Sequence, residues 1–162
     1  MKRFGKTRLL GVSALLAAFT VAGAGAAAAS RTQTTVAHAA GATRAATLTA
    51  HSSRYGRILF DGRRRVLYLF ARDRGGRSSC SGACAKAWPP FLTKRAPRGL
   101  SGVNAKLLGT TRRSNGTLQV TYAKHPLYYF KEDRKPGQIK CQNVSSFGGL
   151  WLVVTPSGKP VR

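Results

Sequence analysis

A six-residue pattern, Tyr-x-Phe-x-x-Asp, occurs twice in this chain at a spacing of 60 residues. It comprises Tyr68, Phe70 and Asp73 in the first copy and Tyr128, Phe130 and Asp133 in the second. Residues two apart lie on one face of a β-strand, and an aspartate three residues further on can accept hydrogen bonds from turn amides as the strand ends. The repeat therefore predicts two similar β-units in which these aromatic residues and aspartates have structural roles.

The first unit contains a predicted hairpin between the apolar runs 58–60 and 66–70, which flank Asp61-Gly62. A strict two-residue loop would place the first run opposite arginines. We therefore expect a loop of residues 61–64, which brings Leu59 opposite Val66 and restores apolar cross-strand pairs.

The second unit contains Asn115-Gly116, a pair typical of a two-residue hairpin turn. Apolar and polar residues alternate after it, which predicts a strand with one buried and one solvated face. The apolar set is Leu118, Val120 and Tyr122, and the polar set is Thr117, Gln119 and Thr121. His125-Pro126 is expected to interrupt the pairing.

The remaining predicted elements are a helical turn over 82–88, ended by Pro89-Pro90, and a last strand over 150–154 after Gly148-Gly149. The fold class is mainly β. We expect a small antiparallel β domain built from two similar β-units with a short helical turn between them, preceded by a signal peptide and a flexible tether.

The N-terminus is typical of a secretory signal peptide. Four basic residues precede an apolar run from Leu9 to about Ala26, and small residues follow it. The run is rich in alanine and interrupted by glycines, which favours cleavage over an uncleaved anchor. We expect a signal peptide over 1–29, a disordered Ala/Thr-rich tether over 30–52 and the β-rich domain over 53–160, with cleavage after Ala39 as the alternative. The protein is therefore expected in the cell envelope or outside the cell, with no transmembrane span after cleavage.

Three cysteines in an exported protein most simply form one disulfide and leave one thiol. Cys80 and Cys84 are the main candidate pair, provided that the intervening residues form a tight turn, because helical spacing holds the two Cβ atoms too far apart. A bond from either of them to Cys141 would instead join the two units. The sequence leaves all three pairings open.

Cys80, Cys84, Cys141 and His125 together provide the four ligands of a structural zinc site, and a redox role of the cysteines is the other alternative. An oxidising compartment favours disulfides over thiolate ligands, and Cys-x3-Cys is not the spacing of thiol oxidoreductases. We expect no metal and no cofactor.

The charge is extreme, because 28 lysines and arginines stand against 4 acidic residues, a formal net charge of +24. A surface of this kind attracts anionic envelope polymers or lipid headgroups by salt-sensitive electrostatics, although arginine richness also fits a purely compositional origin. No signature of sequence-specific nucleic-acid binding is present. The expected polyanion-binding residues are Arg57, Arg63, Arg64, Arg65, Arg72, Arg74 and Arg77.

The sequence offers few candidate catalytic residues, because its only acidic residues are Asp61, Asp73, Glu132 and Asp133. The sequence has no Walker loop, no Gly-x-Ser-x-Gly and no His-Glu-x-x-His motif. A small hydrolase that pairs His125 with Asp133 or Glu132 is the weakest hypothesis, and we expect a non-catalytic protein.

Several motifs in order resemble the bacterial secreted repeat of unknown function, a family of predicted lipoproteins. They span about 100 residues between Tyr55 and Ser157, and they are the two Tyr-x-Phe-x-x-Asp copies, Cys80 and Cys84 followed by Trp88, Pro89 and Pro90, His125-Pro126, and Gly148-Gly149 followed by Trp151. The resemblance implies an exported envelope protein and supplies no activity. This chain lacks the lipid-accepting cysteine of the lipoprotein members.

Overall fold

The computed structural model describes residues 45–162, which form a mainly β structure with a single α-helix in that range. The predicted signal peptide and residues 30–44 of the predicted tether lie outside the described residues. In chain order the elements are β1 (Thr47–Ser53), β2 (Gly56–Asp61), β3 (Tyr68–Phe70), α1 (Gly82–Ala87), β4 (Leu92–Thr93), β5 (Arg98–Gly99), a 3-10 helix (Ala105–Leu107), β6 (Leu108–Arg112), β7 (Leu118–Tyr122), β8 (His125–Pro126), β9 (Val144–Ser146) and β10 (Gly149–Val153).

Residues 48–53 of β1 pair with β2 in an antiparallel hairpin. The prediction that residues 30–52 form a tether is therefore wrong for residues 47–52, and the folded domain begins no later than Thr47. Leu48 and Ala50 are buried while their neighbours are not, which is the period-two burial of a strand. This strand has no strong sequence signal, because five of its seven residues are Thr, Ala or Ser and it contains no Phe, Tyr or Trp.

The first predicted loop is wrong by one residue. Phe60 pairs with Val66, and the amide of Asp61 donates to the carbonyl of Arg65 at 2.8 Å, so the loop is 62–64 and Leu59 is not opposite Val66.

The second hairpin joins β6 to β7 through residues 114–116 rather than through Asn115-Gly116 alone. The amide of Arg113 donates to the carbonyl of Thr117 at 2.9 Å. The third loop residue is left-handed in both hairpins, with φ of 63° at Arg64 and 80° at Gly116. This geometry is common in three-residue hairpin loops.

Strand β8 continues the sheet, so the prediction that His125-Pro126 interrupts it is wrong. Ala123 and Lys124 have φ of 48° and 64°, the signs required for a two-residue type I′ turn. Pro126 lies opposite Thr121, at a position where the pairing requires no hydrogen bond from a backbone amide. The hydrogen bond to β7 comes from the next residue, since the amide of Leu127 donates to the carbonyl of Val120 at 3.0 Å.

The two units, residues 47–93 and 108–153, exchange their last strands. β10 of the second unit pairs with β3 of the first. In return, β4 of the first unit pairs with β7 of the second, and Pro90 just before β4 bridges to Tyr128. Tyr68 and Tyr128 join the units directly, since each donates its amide to the other's carbonyl at 2.9 Å. The contacts between the units are therefore reciprocal, as in an approximate two-fold rotation, and the units form one structure.

Both faces of the strands at this junction are buried. Tyr68 and Phe70 belong to one hydrophobic cluster, whereas Leu67 and Leu69 belong to a second on the opposite face. The prediction of a solvated face for β7 is wrong for the same reason, because Gln119 and Thr121 are buried as well.

The predicted helical turn and last strand are confirmed as α1 and β10, each within one residue of the predicted ends. α1 leads into Trp88, whose ring stacks on that of Trp151 of β10 at a centroid distance of 3.9 Å. Gly148, with φ of 78°, completes the turn before β10. A Cβ at Gly149 would lie 2.8 Å from the Phe70 ring, so only glycine fits there.

Candidate functional site

The two Tyr-x-Phe-x-x-Asp motifs are hydrogen-bonded to each other. The hydroxyl of Tyr68 donates to Asp133 Oδ2 at 2.6 Å, and the hydroxyl of Tyr128 donates to Asp73 Oδ2 at 2.7 Å. Each tyrosine therefore binds the aspartate of the other unit.

The second oxygen of each aspartate accepts from the turn that follows its own strand. Asp73 Oδ1 accepts from the amide of Ser79 at 2.7 Å, and Asp133 Oδ1 accepts from the amide of Lys140 at 3.0 Å. This confirms the predicted turn role of both aspartates. The contact with the opposite tyrosine was not predicted, since no local sequence signal pairs a hydroxyl with a carboxylate more than fifty residues away.

Burial sets the protonation behaviour of this network. It raises the pKa of Asp73 and of Asp133, and their hydrogen-bond donors oppose the shift. Burial and the adjacent carboxylates also raise the pKa of Tyr68 and Tyr128 far above the ordinary value. The tyrosines are therefore permanent neutral donors at physiological pH.

A third tyrosine–aspartate pair lies at the first hairpin loop. The hydroxyl of Tyr129 donates to Asp61 Oδ2 at 2.9 Å, while Asp61 Oδ1 accepts from the amides of Arg63 and Arg65. The guanidinium of Arg65 lies 4.0 Å from the centre of the Tyr129 ring. The sequence analysis missed this pair, although an aspartate that begins a hairpin loop is a general signal for turn-amide contacts.

The network has the features of a structural site. Tyr68 and Tyr128 have no exposed surface, and Asp133 is 4% exposed. Every buried side-chain nitrogen and oxygen of the described residues has a hydrogen-bond partner. A reacting group needs access to substrate, which Tyr68, Tyr128 and Asp133 do not have, whereas Asp73 is half-buried.

The disulfide joins Cys80 to Cys84, as the main candidate pairing predicted, with their Cα atoms 5.3 Å apart. Gly82 between them has φ of 52°, which supplies the tight turn. Cys141 is a free cysteine, and burial raises the pKa of its thiol.

The metal hypothesis does not fit this arrangement, because Cys80 and Cys84 are bonded to each other and offer no thiolate. Within residues 45–162, no three His, Cys, Asp or Glu side chains are grouped as metal ligands would be.

The hydrolase hypothesis paired His125 with Asp133 or Glu132, and both carboxylates have other partners. Glu132 forms salt bridges with Lys131 and Arg134. Burial lowers the pKa of His125, and the carboxylate that opposes this shift is Asp73. Asp133 is instead bound to Tyr68 and to the amide of Lys140.

The predicted polyanion-binding arginines lie at the surface. All are exposed except Arg65, which is half-buried against Tyr129. Arg72 donates to the backbone carbonyl of Phe147. Arg74 donates to the backbone carbonyls of Ala71 and Asp73. In the described part of the chain the salt bridges are those of Glu132, with Lys131 at 3.9 Å and Arg134 at 3.0 Å. None of the seven arginines is neutralised by a carboxylate in this way.

Across residues 45–162 there is no helix with both the length and the apolar character needed to cross a membrane. Searches of curated proteins and of solved structures found no match to this chain. A family profile described as a secreted repeat of unknown function matches twice, over residues 49–91 and 109–155, which is more than half of the chain. The two matches coincide with the two structural units, and a disulfide is consistent with an extracellular location. The chain therefore belongs to the family of the secreted repeat of unknown function.

Proposed function

We propose that this secreted protein is a non-catalytic module that binds anionic polymers of the cell envelope through its basic surface. The supporting observation is that three of its four acidic residues are bound by tyrosines and turn amides and form no salt bridge with a basic side chain. Residues 45–162 contain 22 of the 28 lysines and arginines and all four acidic residues, a formal charge of +18. Asp61, Asp73 and Asp133 are each bound to a tyrosine and to turn amides, so Glu132 alone forms salt bridges with basic side chains in this range.

Apart from the partners of Glu132, the exposed basic side chains are therefore not paired with carboxylates and can bind external anions. Each lysine or arginine that neutralises a polymer phosphate or sulfate releases a condensed counterion, which makes such binding favourable at low ionic strength and steeply salt-dependent.

Heparin, a sulfated polysaccharide, is a suitable probe polymer. We expect its affinity to fall linearly on a log–log scale as salt rises from about 50 to 200 mM, by a factor on the order of a thousand if about six charges engage. Binding that does not respond to salt would refute the electrostatic mechanism.

Vesicles test the lipid-headgroup alternative. The same titration uses vesicles of phosphatidylglycerol and phosphatidylcholine, with pure phosphatidylcholine as the uncharged control. Binding to the anionic vesicles without binding to heparin would replace the polymer by a lipid surface as the partner.

A further inference from the structure

Two surface cavities have the same construction. The first, of about 640 Å³, lies between residues 52–54 at the end of β1 and residues 137–140, which follow Asp133. The second, of about 490 Å³, lies between residues 111–114 at the end of β6 and residues 77–81, which follow Asp73. Each cavity thus combines the first strand of one unit with the turn segment of the other, so the approximate two-fold generates both.

Equivalent contacts hold the two cavities in shape. Arg54 Nη2 donates to the carbonyl of Ile139 at 2.7 Å in the first, and Arg113 Nη2 donates to the carbonyl of Cys80 at 2.6 Å in the second. The turn segments are themselves anchored by Asp133 and Asp73. The walls of both cavities are therefore fixed by the same network that joins the units.

Both cavities have the same chemistry. Each is lined by three cationic side chains and by serine or threonine hydroxyls, and neither is lined by a carboxylate. Guanidinium and hydroxyl groups are the common protein partners of tetrahedral oxyanions. The cations are Arg54, Arg64 and Lys140 in the first cavity and Arg77, Arg112 and Arg113 in the second.

We propose that the two cavities are paired sites for phosphate or sulfate groups of one linear polyanion. This inference rests on the proposed function and assigns it a location. Of the arginines expected from the sequence to bind polyanions, Arg64 and Arg77 lie in the cavities. Binding of the first group makes binding of the second intramolecular, which raises the affinity for a polymer over that for a single anion by a factor of about 10² to 10⁴ where the polymer can span both sites.

The test uses three double variants, each of which removes two exposed positive charges. Arg77→Gln with Arg112→Gln alters the second cavity. Arg64→Asn with Lys140→Gln alters the first, and asparagine tolerates the left-handed backbone of that loop. Lys94→Gln with Arg95→Gln is the matched control, because these residues lie outside both cavities.

Calorimetry with inorganic triphosphate counts the sites. We expect two equivalents per chain for the natural protein and for the control, and one for each cavity variant. For long-chain polyphosphate we expect each cavity variant to lose at least about tenfold more affinity than the control, because the bivalent gain disappears. The same titration with heparin compares sulfate with phosphate.

Equal losses in all three variants would overturn the paired sites and leave the proposed function intact, since diffuse charge would then account for binding. If the natural protein binds neither polyphosphate nor heparin at low salt, the proposed function itself fails and this inference fails with it.

Discussion

At the scale of single residues, the tyrosine and the aspartate of the repeated motif serve different units. Tyr68 binds Asp133, and Tyr128 binds Asp73, while each aspartate also fixes the turn after its own strand. An aspartate alone could fix its turn, and a tyrosine alone could fill the core. Their joint presence in the motif follows from the cross-unit hydrogen bond, for which both are needed.

Removing either hydroxyl therefore leaves a carboxylate oxygen without its tyrosine donor, on the buried Asp133 or on the half-buried Asp73. For Tyr68→Phe and Tyr128→Phe we expect the free energy of unfolding to fall by about 1 to 3 kcal/mol each, the usual range for an unsatisfied buried polar group. Urea denaturation measures this change.

Tyr55→Phe is the control, since the half-buried Tyr55 ring packs against the Arg54 guanidinium at 4.9 Å and lies outside the network. Its expected change is within about 0.5 kcal/mol. Losses no larger than this in Tyr68→Phe and Tyr128→Phe would contradict the structural role of the network.

The aspartates make a prediction about pH. Burial is the main cause that raises the folded-state pKa of Asp133 above its ordinary value of 3.8. The folded protein therefore binds the proton of this carboxyl group more tightly than the unfolded chain does. The resulting stability is complete below pH 3.8 and is lost as pH rises through the folded pKa. We expect the stability of the natural protein relative to Asp133→Asn to decrease over this interval, as measured by denaturation at a series of pH values. A relative stability that increases with pH would show that the pKa is lowered instead.

At the scale of elements, the turns carry more backbone strain than the strands. The type I′ turn between β7 and β8 consists of Ala123 and Lys124, neither of which favours positive φ. The strain is compensated by the pairing of β8 with β7, which leads the chain to Tyr128 beside Tyr68 of β3. Glycine at such a position relieves the steric cost of the Cβ atom.

Lys124→Gly is therefore expected to stabilise the protein by about 1 kcal/mol. Lys124 is exposed, so the substitution removes little packing. Lys124→Ala removes the same charge but keeps the Cβ atom, and it should give no comparable gain in thermal or urea denaturation. A gain of the same size from alanine would assign the effect to the lost charge.

The comparison between sequence and structure also belongs to this scale. The repeat, the helical turn, β10 and the Cys80–Cys84 pair could be predicted because each has a local signature. The predicted loop registers differ from the observed ones by one residue. At the first loop this is because Arg64, the left-handed third loop residue, has no side chain that signals this conformation. β1 was missed because its composition gives no clear strand signal, and the strand exchange was missed because it depends on pairing with distant partners. The cavities were missed for the same reason, since each is assembled from both units.

At the scale of the whole molecule, the exchange makes neither unit complete by itself. β3 of the first unit is paired with β10 of the second, and the Trp151 ring lies between those of Trp88 and Phe70 at centroid distances of 3.9 and 4.1 Å. The first unit alone would expose this strand edge and lose the centre of its core. Two sequence repeats of this kind therefore form one folding unit.

This arrangement predicts the behaviour of fragments. Residues 45–95 and 96–162, separated within an exposed segment, should each lack a cooperative urea transition and a folded near-ultraviolet circular dichroism spectrum. An equimolar mixture should recover both, because each fragment supplies the last strand that the other lacks. Protein cleaved at the same bond after folding is the control and should stay folded. Cooperative unfolding of either fragment alone would mean that one unit can close its own core, and the exchanged strands would then be an addition to the fold rather than its basis.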